Sequence, residues 1–204
     1  MMFWSGRSLI TAVLLCLPPA GPSLAATVTF SGYASGGSGF GSATVTGNIL
    51  DIDVTKFIAS VDSNTGAPVL LQDAAFFDIR AEDGYFIQKV ELRESVNSTI
   101  NGAAETRAYG FLRVKTALGD WDEPNPQNTI VTSLDNLDFG DLLTEASVSI
   151  HNTLWASSNG GEASVRKDLT QVEVTLQAVP IPAAAWFFGS ALIGFVAFSQ
   201  RRHN

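Results

Sequence analysis

Cysteine is all but missing from these 204 residues, and the one present, Cys16, lies near the N-terminus. Downstream of it there is no disulfide, no thiolate metal site and no cysteine nucleophile. Histidine is nearly as scarce. Only His151 stands away from the C-terminal end, so a histidine-rich metal site is excluded and a serine triad would rest on that one side chain. No Gly-x-Ser-x-Gly elbow occurs. Positive charge is thin as well. Twelve Lys and Arg, less Arg7, Arg201 and Arg202, leave nine over residues 26–178 against all twenty Asp and Glu, a net −11. Such a surface repels phosphate backbones, which argues against nucleic acid as a partner.

A sustained helical stripe is also missing from residues 26–178, where strand patterns follow one another instead. Leu50, Ile52 and Val54 alternate with Asp51, Asp53 and Thr55, and Val172, Val174 and Leu176 alternate with Glu173 and Thr175. Period two of this kind predicts half-buried strands. Residues 27–33, 104–117, 146–155 and 164–177 read as strands, and 42–61 as two more. Residues 74–80 and 85–95 flank Glu82-Asp83-Gly84, which predicts a hairpin because Asp-Gly accepts the positive φ of a tight turn. Residues 120–127, with Pro124 and Pro126, read as loop, and 135–143 as a short helical turn. Eight to ten strands with turns at short intervals predict an all-β fold: a single antiparallel β-sandwich, jelly-roll-like in one arrangement.

The ends have a different character. Residues 1–25 carry one charge, Arg7, then an apolar stretch over 9–17, a Pro-Gly break and a small-residue exit. That is the plan of a signal peptide cut by signal peptidase between Ala25 and Ala26, its helix too short to span a bilayer. At the other end residues 181–198 hold no charge. As a helix they would measure about 27 Å, one transmembrane span. Arg201 and Arg202 follow as a basic stop that keeps this end cytoplasmic. With both segments in place, residues 26–178 face outward from the inner membrane.

The tail also carries a resemblance. Val179-Pro180-Ile181-Pro182-Ala183-Ala184, then Trp186-Phe187-Phe188-Gly189-Ser190, then Arg201-Arg202 resembles the PEP-CTERM sorting signal in its Val-Pro-x-Pro-Ala-Ala variant. Ile181 stands where the motif's glutamate would be. The resemblance covers residues 179–204. It implies recognition by exosortase, a membrane protease-transpeptidase, with the precursor held transiently in the inner membrane. It further implies release to the cell surface or extracellular matrix of a Gram-negative, polysaccharide-producing bacterium. The stretch from Phe76-Phe77-Asp78-Ile79 to Val90-Glu91-Leu92-Arg93-Glu94 is similar to hairpins of PEP-CTERM ectodomains, which implies a fold and no chemistry.

Candidate chemistry inside residues 26–178 is sparse. Asp135, Asp138 and Asp141 surround Gly140 and could supply the oxygens a calcium ion wants, with a solvated acidic loop as the plainer reading. No other cofactor is expected. Trp121 and Trp155 are candidates for stacking on sugar rings, and Trp155 reads equally well as core. His151 shares a strand face with Ser149 and Thr153, away from Val148, Ile150 and Leu154. Glu91 with Glu94 counts for nothing toward glycoside hydrolysis, because twenty acids make such pairs by chance. The run from Gly36 to Gly41 lacks a phosphate-binding pattern and reads as a flexible connection. The expectation is therefore a non-enzymatic, exported, exosortase-processed surface or matrix protein associated with extracellular polysaccharide in a biofilm. The alternatives are a carbohydrate-binding module, calcium-assisted or not, and a polysaccharide-active hydrolase or lyase.

Overall fold

The computed structural model describes residues 26–62, 67–137, 142–179 and 191. Among them run eleven strands: β1 (Val28–Ser35), β2 (Ala43–Thr46), β3 (Ile49–Ile52), β4 (Ile58–Val61), β5 (Val69–Ala81) and β6 (Tyr85–Asn101), then β7 (Ala104–Val114), β8 (Ala117–Pro124), β9 (Gln127–Asp135), β10 (Glu145–Ser158) and β11 (Glu162–Ala178). They form two antiparallel sheets. One has five strands in the order β1-β5-β10-β7-β8. The other has six, β2-β3-β11-β6-β9, with β4 pairing β11 on the same side as β3. Residues 26–179, where described, are all-β, in keeping with the sandwich expected. Among the described residues no helix is long and apolar enough to cross a membrane. Residues 1–25, 180–190 and 192–204, on which the signal and tail helices were expected, lie outside the described residues.

Alternation decides which side of each strand turns inward. From the five-stranded sheet come Ala75, Phe77, Ile79, Ala108, Leu112, Val148, Ile150 and Leu154, and from the six-stranded sheet Leu50, Ile52, Val90, Leu92, Val96, Val165, Val172 and Val174. Together they make one core. Each of the larger side chains among them contributes about 1.5–3 kcal/mol by leaving water. β11 keeps its register only through a bulge. Lys167 pairs with Val96 and Leu169 with Ser95, which leaves Asp168 as the extra residue. Inward positions therefore pass from odd numbers (Ala163, Val165, Lys167) to even ones (Thr170, Val172, Val174).

Several local expectations are corrected. Gly84 has the positive φ of a tight turn, +87°, yet β5 and β6 are not a hairpin. β5 pairs β1 and β10, β6 pairs β9 and β11, and the turn carries the chain from one sheet to the other. Turn chemistry allows either outcome, but each strand has an apolar face to cover, and facing sheets cover both at once. Residues 120–127 are mostly strand, because β8 is an edge strand where Pro124 forfeits no ladder bond. Residues 42–61 hold three strands, not two. The glycine loop is tied down rather than loose: Asp73 Oδ2 accepts the N–H groups of Gly39 at 2.9 Å and Phe40 at 2.8 Å. The Tyr33 hydroxyl donates to the Gly41 carbonyl at 2.8 Å.

Candidate functional site

Outward positions of the five-stranded sheet carry large rings where polar residues would be ordinary. The register sets them in rows across the sheet. Trp155 opposes Leu70 and Arg107, and Thr153 opposes Gln72 and Tyr109. His151 opposes Ala74 and Phe111, and Ser149 opposes Phe76 and Arg113. Six residues of β10 separate the first row from the last, so the face runs about 20 Å along the strands. Phe76 is 44 % exposed, Tyr109 37 % and Leu70 53 %, with Leu118 of β8 at the rim. Exposed apolar area gathered in one place marks a surface that meets something other than water.

The rings hold one another in position. His151 stacks on Phe111 with centroids 4.4 Å apart and meets the edge of Phe76 at 5.5 Å. The Arg113 guanidinium lies 5.4 Å from the Phe111 centroid. Burial between rings, with the Arg113 charge beside it, pushes the His151 imidazole below its ordinary pKa, so it is a neutral part of the platform. On the β8 side Arg107 grips Asp122 with both nitrogens, Nε donating to Oδ1 at 2.7 Å and Nη2 to Oδ2. Hydrogen bonding from Arg107 holds the Asp122 carboxyl below the usual carboxylate range. Fixed rings bordered by hydrogen-bonding groups suit a ligand with flat C–H faces and hydroxyl edges.

The sequence candidates do not all meet here. Trp155 belongs to this face and not to the core. Trp121 opposes Gly110 and turns the other way, its ring packed on the core and lining a cleft of about 770 Å³ between β8 and β9. The two tryptophans therefore do not share a platform. Asp135 ends β9 opposite Lys89, while Asp138 and Asp141 lie outside the described residues. Among the described residues no group of three or more His, Asp or Glu is placed to hold a metal. Glu91 and Glu94, three apart on β6, point to opposite faces, Glu91 to Lys89, Arg93 and Ser133, Glu94 to the core. Of the residues at the expected processing sites, Ala26 accepts a hydrogen bond from Asn48 Nδ2 at 3.0 Å, and Val179 N donates to the Gly84 carbonyl at 2.9 Å. Ala25, Pro180, Ile181, Pro182, Ala183, Ala184, Arg201 and Arg202 lie outside the described residues.

Sequence reading missed one cluster altogether. Glu94, Asn152 and Lys167 are buried together between the sheets, the first two in the middle of inward-facing apolar runs and Lys167 at the end of one. The signal was there in Leu92-x-Glu94-x-Val96, Ile150-x-Asn152-x-Leu154 and Val165-x-Lys167. A polar residue at an inward step of a strand is the mark to look for.

No family model matches the chain, and no curated protein matches it. Among solved structures the chain is similar to TmCBM61, determined in complex with beta-1,4-galactotriose. The identity is 9 %, 73 % of this chain and 90 % of that chain are covered, and the TM-score is 0.27.

Proposed function

We propose that this chain is an exported, non-enzymatic surface or matrix protein that holds extracellular polysaccharide on the aromatic outer face of its five-stranded sheet. One observation carries the reading: Phe76, Tyr109, Phe111, His151 and Trp155 share one outward surface, with His151 packed between Phe76 and Phe111. Sugar rings present C–H faces that stack on such surfaces, while hydroxyls reach Gln72 and the Arg107–Asp122 pair. A hydrolase or lyase would need carboxylates converging on a cleft. In the β8–β9 cleft the two lining acids, Asp120 and Glu123, alternate onto opposite sides of their strand and do not converge. Delivery rests on the signal peptide over residues 1–25 and the PEP-CTERM-like tail over 179–204, read by signal peptidase and exosortase.

Affinity electrophoresis of the secreted protein through gels containing the producer's own polysaccharide tests the binding. The double substitution Tyr109→Ala with Trp155→Ala should weaken retardation at least tenfold, ~1.4 kcal/mol. Equal retardation of parent and variant would remove the assignment of this face. Delivery has a separate test: Pro180→Ala with Pro182→Ala should leave precursor in the inner membrane, and undiminished release would end the sorting reading.

A further inference from the structure

Three polar side chains meet in the driest part of the core. Glu94 comes from β6 and Lys167 from β11 of the six-stranded sheet, and Asn152 from β10 of the five-stranded one. Their exposures are 0, 2 and 2 %. Glu94 Oε1 accepts from Lys167 Nζ, from Asn152 Nδ2 at 2.6 Å and from Thr170 Oγ1 at 3.3 Å. Two donors on one oxygen stand within ~6 Å of each other. The amine and the carboxamide are thus neighbours, with one carboxylate touching both.

The surroundings are built to match. Lys167 Nζ lies 5.4 Å from the ring centroid of Trp121, 5.6 Å from that of Phe57 and 5.9 Å from that of Phe40. Residue 110 faces the Asn152 carboxamide, and any side chain there would overlap its Oδ1, so glycine makes the room. A permanent ion pair in such a place costs more desolvation than its attraction returns. Burial pushes the Lys167 amine below its ordinary pKa, and a lysine that has passed its proton to a carboxylate is a nucleophile. Asn152 Cγ is the electrophile beside it.

We propose that Lys167 and Asn152 join in an intramolecular isopeptide bond, with Glu94 as the proton carrier. The Lys167 ammonium gives a proton to Glu94, and the free Nζ attacks Cγ as the carbonyl electron pair moves onto Oδ1. Glu94 protonates Nδ2, the Cγ–Nδ2 bond breaks as the pair on Oδ1 returns, and the departing ammonia takes the last proton from nitrogen as ammonium. A secondary amide, the Glu94 carboxylate and ammonium result from the original ion pair and carboxamide. Atoms and charge balance, and no oxidant, reductant or cofactor is consumed. The bond ties the five-stranded sheet to the six-stranded one, the service a disulfide would render in a chain that has no cysteine there. It holds whatever the outer face binds, so either assignment can fail alone.

Peptide mapping of the full chain, purified folded from the producing cells, tests the bond. The peptide holding Asn152 should be recovered covalently joined to the one holding Lys167, ~17 Da lighter than the two together, the mass of ammonia. Trypsin should not cut after Lys167. Glu94→Gln should reduce the joined peptide to a trace while circular dichroism shows the strands retained. Recovery of both peptides unjoined at full mass from the folded parent overturns the proposal, and that result needs no variant to fold. Cyclisation of Asn152 to a succinimide also loses ammonia, so a ~17 Da loss that persists in Lys167→Arg overturns it as well.

Discussion

The outer face of the five-stranded sheet and the space between the sheets have exchanged their usual contents. Outside, in water, stand Phe76, Tyr109, Phe111 and Trp155. Inside, away from water, stand Glu94, Asn152 and Lys167. Each arrangement runs against the ordinary partition, since exposed rings gain no burial energy and enclosed charges lose their hydration. Ordinary positions of this fold follow the rule closely, with Leu112, Ile150 and Leu154 fully buried on the same strands. Exceptions set into so regular a background serve something other than folding.

The sharpest way to break the contrast is from the inside. Lys167→Met should lower the free energy of unfolding by about 3–5 kcal/mol, because the covalent tie between the sheets is lost and Glu94 and Asn152 lose a buried polar partner. Urea denaturation reads this directly, and a loss under about 1 kcal/mol would make the interior cluster ordinary packing. Trp155→Ala should behave the opposite way, with polysaccharide retention reduced and the unfolding free energy within about 1 kcal/mol of the parent. A variant that unfolds instead would move Trp155 into the core and dissolve the comparison.

Glu91 supplies a finer control, being on the same strand as Glu94 but on the wet side. The Lys89 ammonium first, then Arg93 and Ser133, hold its carboxyl down at about 2 from an ordinary 4.5, against the opposing effect of burial. A carboxylate depressed on folding stabilises fully above its unfolded pKa, and that share fades as the pH falls from about 4.5 toward 2. Its partners are 33 and 49 % exposed, so the contribution is on the order of 1 kcal/mol after screening. Glu91→Gln should flatten the acid limb of the urea midpoint between those pH values. An unchanged limb would show that the ion pairs on this face carry no weight.

Much of the fold was legible because alternation is a local signal. Leu50-x-Ile52-x-Val54 and Val172-x-Val174 face inward as their period says, and His151 lies with Ser149 and Thr153 as expected. Pairing was not legible. Nothing in Glu82-Asp83-Gly84 tells that the strands on either side part company, since the choice is made by distant partners, β1 and β10 for one and β9 and β11 for the other. The candidate site was half legible for the same reason. Trp155 could be named from the sequence, but its company of Tyr109, Phe111 and Phe76 comes from register alone. A bulge blurred the rest, for counting back from Val172 and Val174 turns Lys167 outward unless Asp168 is known to be extra.

The position of β11 within its sheet bears on the order of events during synthesis. It comes last in sequence among the strands, yet it lies between β3 and β4 on one side and β6 on the other. A chain emerging N-terminus first therefore offers β6 and β3 unfilled edges until residue 178 is free of the channel. Until then the half-made sheet is open to mispairing with its neighbours.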